Sequence, residues 1–144
     1  MTAEERFAAV AGFGFTPRQA RFLTLVMRHA GVCLLRQYSA FAGIVHGQKT
    51  RKFFAKLVRL EYASMHDCRH NRAVLYHLNN RRLYRAVGDG ESRLRRPLTL
   101  GQAVHRLMVL DAIVEDPDLV WLGEGGRGGR TWAKAWAAPL THVP

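Results

Sequence analysis

The stretch 47–62 sets the strongest limit on what this chain can fold into. After Gly47 come Gln48, Lys49, Thr50, Arg51 and Lys52, then Phe53, Phe54, Ala55, Lys56, Leu57, Val58, Arg59 and Leu60. At about 3.6 residues per turn, Phe53, Leu57 and Leu60 stack on one side with Phe54 and Val58 beside them. Gln48, Arg51, Lys52, Ala55 and Arg59 fall on the other side, with Lys56 at its edge. The segment therefore reads as a helix that buries one face in a core and offers the other to a polyanion.

Composition agrees with that division. Of 144 residues, 48% are apolar, enough to fill the core of one domain, and Lys and Arg exceed Asp and Glu by 22 to 11. A formal charge of +11 points to nucleic acid, or less often an anionic membrane, as partner. The excess is concentrated: residues 47–96 carry 13 Lys and Arg against Glu61, Asp67, Asp89 and Glu91. A solvated face would interleave the two signs more evenly. No apolar run is long enough to span a membrane, and the early acids Glu4 and Glu5 do not suit a secretory leader. Cys33 and Cys68 read as free thiols, and a cytoplasmic location is expected.

The start and stop signals divide the chain as follows. Residues 1–15 form a lead with a short helix over 3–11. Thr16, Pro17 and Gln19 make an N-cap, a first-turn proline and a capping box for a helix that Gly31 stops. The apolar 32–35 is either a small strand or a tight connection. A second short helix is expected over 36–44 and the basic one over 48–61. Residues 62–66 and 73–78 read as two strands of a hairpin around a polar turn. Asn79 or Asn80 caps a helix over 81–87, and 88–97 reads as a loop. Thr99 opens a helix to Glu115 whose stripe is Ala103, Leu107, Leu110 and Val114, widened by Val104 and Met108. Leu119 to Leu122 suits a last strand, and 123–144 reads as a flexible tail.

A helix, a second helix, a basic amphipathic helix and a hairpin with Arg69, His70, Asn71 and Arg72 at its tip resemble a winged helix-turn-helix domain. The resemblance covers about residues 16–87. The run 36–44, with Gly47, Gln48, Lys49 and Thr50 and then 68–72, is similar to small winged-helix proteins of bacterial plasmids and conjugative elements, the replication-relaxation group among them. It implies an α+β, mainly α fold over 16–122, with helix 99–115 as an addition, and a transcriptional regulator of a mobile element that binds double-stranded DNA. Gln48, Lys49, Thr50, Arg51 and Lys52 would then meet base edges in the major groove, Lys56 and Arg59 phosphates, and Arg69, His70, Asn71 and Arg72 the minor groove or flanking backbone. Such regulators commonly pair through a terminal helix, so a homodimer is expected.

Other chemistry fits less well. His66, Cys68 and His70 alternate, but a zinc site takes four ligands and two of these three lie in the turn, so they read as polar hairpin residues and no metal or cofactor is expected. No nucleotide-binding glycine loop, nucleophile elbow or metalloprotease motif occurs, and acids are scarce, so no enzyme is expected. Phe22, Phe41, Phe53, Phe54, Tyr62 and Tyr76 read as core. Two rivals remain: a module whose basic face meets an acidic protein, and an RNA binder, although a helix does not enter the narrow A-form major groove.

Overall fold

The computed structural model describes residues 1–45, 47–68 and 73–117. Its elements run α1 (Ala3–Ala11), α2 (Pro17–His29), β1 (Val32–Cys33), α3 (Leu35–Ala42), α4 (Gln48–Arg59), β2 (Ala63–Cys68), β3 (Ala73–Leu78), α5 (Arg81–Ala86), a 3-10 turn (Arg93–Arg95) and α6 (Leu100–Glu115). The result is α+β and mainly helical, with a three-stranded antiparallel sheet ordered β1-β3-β2.

Threonine sets three of the helix starts. Thr2 with Glu5, Thr16 with Gln19, and Thr99 with Gln102 each form a reciprocal capping box, so two orphan amides per helix find partners. Asn80 caps α5, its Oδ1 accepting from the Arg82 and Leu83 amides. Gly31 ends α2 at φ 77°, where a side chain is disfavoured, and a Cβ there would lie 2.7 Å from the Leu94 carbonyl oxygen. Gly31 O also accepts from Leu78 N at 2.8 Å, so the end of α2 is tied to β3.

The main core lies between α2, α4 and one face of the sheet. Phe22, Leu23, Val26 and Met27 of α2 are fully buried with Phe54 and Leu57 of α4, Leu78 of β3 and Leu83 of α5. Removing such side chains from water contributes about 1.5–3 kcal/mol each. Aromatic rings hold α4 in place. Phe53 lies 4.8 Å from Tyr38 of α3, and Phe54 lies 4.7 Å from Tyr76 of β3. Of the six aromatics assigned to the core, Phe22, Phe53, Phe54 and Tyr76 are buried, while Phe41 and Tyr62 are half-buried against it.

The strand pattern differs slightly from the sequence reading. Residues 32–33 form a strand, because Val32 and Cys33 pair with His77 and Tyr76. β2 continues to Cys68, so the turn is shorter than 67–72. The loop 88–97 contains the 3-10 turn, whose first amides Ser92 helps to satisfy.

Two apolar faces required correction. Leu60 is 43% exposed because α4 ends at Arg59, and Leu60 caps the helix instead of continuing its stripe. On α6 the buried set is Ala103, Val109, Leu110, Ala112 and Ile113, with Val104 48% exposed and Leu107, Met108 and Val114 only half-buried. That helix is apolar on nearly every side, so periodicity alone does not select its buried face; packing against α2 and α3 does. Val109 and Ile113 cluster with Leu25. Gln37 of α3, almost wholly buried, donates from Nε2 to the Leu107 carbonyl and to Asp111, both at 2.9 Å. The candidate strand 119–122 and the tail 123–144 lie outside the described residues.

Candidate nucleic-acid interface

The end of α3 and the start of α4 position the basic face. Gly43 closes α3 at φ 67°, and Gly47 begins α4 with no side-chain cap, so its first amides are not satisfied by a side chain. Such an end carries partial positive charge. Gln48, Lys49, Arg51, Lys52, Ala55 and Arg59 are exposed. Steps of three and four along a helix keep 48, 51, 52, 55 and 59 on one side.

Lys49, Arg51, Lys52 and Arg59 have no ion-pair partner among the described residues, and α4 contains no acid. Three acids elsewhere are engaged: Asp111 takes Arg36 through both oxygens at 2.9 and 3.2 Å, Glu91 takes Arg81, and Asp89 takes Arg28. None of these three is turned to the α4 ridge.

Two of the expected contact residues point elsewhere. Thr50 is buried at 1% exposure, and its hydroxyl lies 3.5 Å from that of Ser39 between α4 and α3. It sits one turn before Phe53 and Phe54, on the core side, and cannot reach a base. Lys56 curls back to the α1–α2 connection. Its Nζ donates to the Gly14 carbonyl and lies 4.7 Å from the centre of the Phe15 ring. A lysine held by a carbonyl and an aromatic face is a structural clamp first. The tip residues Arg69, His70, Asn71 and Arg72 lie outside the described residues, as does His46; the strands that carry the tip are described.

The sequence reading missed a groove. Arg51, Ala55 and Arg59 border a depression of about 350 Å3 whose floor is Phe54 and Val58 and whose far wall is Met65 and Tyr76 of the hairpin. Met65 is 55% exposed there. Its position opposite Tyr76 was readable only once the strand register was known. The basic ridge and the hairpin therefore flank one surface.

Burial makes the remaining chemistry quiet. Cys33 is a free, fully buried thiol whose pKa burial drives well up, which leaves it unreactive. Among the described residues no group of His, Cys, Asp or Glu is arranged to hold a metal ion, and Cys68 and His70 of the alternating trio are not among the side chains described. No helix among them is long and apolar enough to cross a membrane. Comparison with protein-family models, with curated proteins and with solved structures finds no match to this chain.

Proposed function

We propose that the chain is a winged helix-turn-helix protein that binds double-stranded DNA through α4 and regulates transcription. The observation that carries this reading is the acid-free, exposed ridge of Gln48, Lys49, Arg51, Lys52 and Arg59, without an ion pair among the described residues, on a helix that aromatic packing holds to the sheet. The major groove of B-DNA admits one helix, and residues near its N-terminus reach base edges. Gln48, Lys49, Arg51 and Lys52 take that role, with Arg pairing to guanine and Gln to adenine. Arg59, two turns further along, meets phosphate, and the hairpin tip flanks the duplex. The mobile-element context is part of the same reading and rests on the resemblance over 36–50 and 68–72.

The test is duplex binding measured by fluorescence anisotropy across a salt series. Wild type should show a steep loss of affinity with salt, the Arg51→Ala/Lys52→Ala pair should cut affinity and relax base choice, and Arg59→Ala should lower the log–log slope by about one. Equal binding by wild type and the double variant would remove α4 from the groove.

A second reading is favoured by the groove at Phe54, Val58 and Met65. An acidic protein segment with apolar anchors would seat its anchors there and its acids on Arg51 and Arg59. Negligible affinity for any duplex at low salt would select that alternative. Pairing of two copies through Leu100 and Val104, exposed one turn apart on α6, is the accompanying proposal for a homodimer.

A further inference from the structure

The face of the sheet turned away from the main core is not covered by a helix along its whole length. Alternation puts Ser64, His66, Leu75 and His77 on that face, where Ser64 pairs with His77 and His66 with Leu75 across the ladder. The 3-10 turn and the start of α6 arch over it and enclose a cavity of about 320 Å3. Val32, Leu75, Leu98 and Ala103 supply an apolar floor. That size is at the lower end of small-molecule sites, which combine apolar walls with a few converging polar groups.

The polar groups are fixed. His77 Nε2–H donates to the Leu94 carbonyl at 2.7 Å, which pins the turn above the sheet. Asn79 Nδ2 donates to Ser64 Oγ at 3.1 Å, and Ser64 Oγ lies 3.0 Å from His66 Nε2. His66 Nδ1 makes no bond among the described residues. Arg95 lines the same cavity, held by Nε to the Asn79 carbonyl and by one terminal nitrogen to that of Gly90. Its other terminal nitrogen makes no bond among the described residues.

Asp67 borders the cavity, but its register partner is Val74, which packs on the main core, so alternation turns the Asp67 side chain to the opposite face. Among the described residues no other acid lines the cavity, and Arg95 is bonded only to backbone carbonyls. Thr99 and Leu100 bring the first turn of the 16-residue α6 to the rim, where the capping box takes the Thr99 and Gln102 amides and leaves those of Leu100 and Gly101. Arg95, His66 and the start of α6 thus line the cavity together with its apolar floor.

We propose that this cavity binds a small molecule with an apolar body and a single carboxylate. The body lies on Val32, Leu75, Leu98 and Ala103, and the carboxylate takes hydrogen bonds from Arg95 and His66. The site shares no residue with the α4 ridge, so it stands whether or not the chain binds DNA.

The test uses the full chain with benzoate as probe and benzamide as its neutral analogue of equal shape, by titration calorimetry and amide-resolved NMR. Benzoate should bind saturably and shift the amides of Val32, Ser64, Leu75 and Ala103, with benzamide weaker by about tenfold or more. Arg95→Gln should weaken benzoate by a similar factor and leave benzamide unchanged. Because Arg95 also ties down two carbonyls, His66→Ala at an exposed position provides an independent variant, expected to weaken benzoate alone. Absence of saturable benzoate binding, equal binding of benzamide, shifts confined to other parts of the chain, or wild-type affinity in both variants would each overturn the assignment.

Discussion

At the scale of single residues, the same side-chain type does opposite work depending on where α4 places it. Lys52 projects into solvent, whereas Lys56, one turn on, is drawn over Phe15 and bonded to Gly14 O. A charged hydrogen bond and a cation–π contact at a half-exposed site together contribute about 1–2 kcal/mol. Lys56→Ala should therefore lower the free energy of unfolding in urea by that amount, while Lys52→Ala stays within about 0.5 kcal/mol of wild type. A stable Lys56→Ala protein that had lost only affinity for polyanions would instead return Lys56 to the surface. The wheel puts Lys56 on the boundary between faces, and its direction is set by Phe15, 41 positions away, which no helical periodicity reports. Thr50 illustrates the same limit. Its polarity suggested an exposed contact, but it falls on the Phe54–Leu57 side and its hydroxyl faces Ser39.

At the scale of elements, what ends α4 matters as much as what lines it. Glu61 sits at φ 61°, the one non-glycine among the described residues in the left-handed region, and Tyr62 N bonds back to Leu57 O at 2.8 Å. This is the reversal that glycine usually supplies, and an L side chain there is strained. Its carboxylate also lies near the negative end of the helix. Glu61→Gly should stabilise the protein by up to about 1 kcal/mol, read as a higher urea midpoint, and an unchanged or lower midpoint would show that Glu61 makes a compensating contact. Helix starts were legible because a threonine three residues before Glu or Gln is a local signal, as at Thr16 and Thr99. Ends and faces were less so. α6 has apolar residues on nearly every side, and which way it turns is shown by Val109 and Ile113 packing on Leu25 and by Gln37 bonding to Leu107 O and Asp111. The cavity above Ser64 and His77 was not legible at all, since it depends on the register of β2 on β3 and on a 3-10 turn distant from both in sequence.

At the scale of the whole molecule, burying an ionisable side chain in a strongly basic chain has a cost, which His29 records. This imidazole at the end of α2 is largely buried, and desolvation first, then the charges of Arg28 and Arg6, lower its pKa from 6.5 to about 4. His77 is shifted down for the same leading reason, burial, partly opposed by its bond to Leu94. In the native state His29 is neutral at any pH above about 4, while in the unfolded chain it takes a proton below 6.5. Between those values the unfolded state holds more protons, so stability rises with pH and is lost as pH falls from 6.5 towards 4. The span corresponds to at most about 3 kcal/mol. Urea midpoints at neutral pH and near the lower end of this window should therefore differ, and in His29→Gln, which cannot charge, the difference should shrink to what His77 and the carboxylates provide. A wild-type protein and a His29→Gln protein losing equal stability across the window would place the cost of acid elsewhere. The outer ridge responds to a different variable: acid should weaken the fold, while salt should weaken the duplex contact proposed for the ridge.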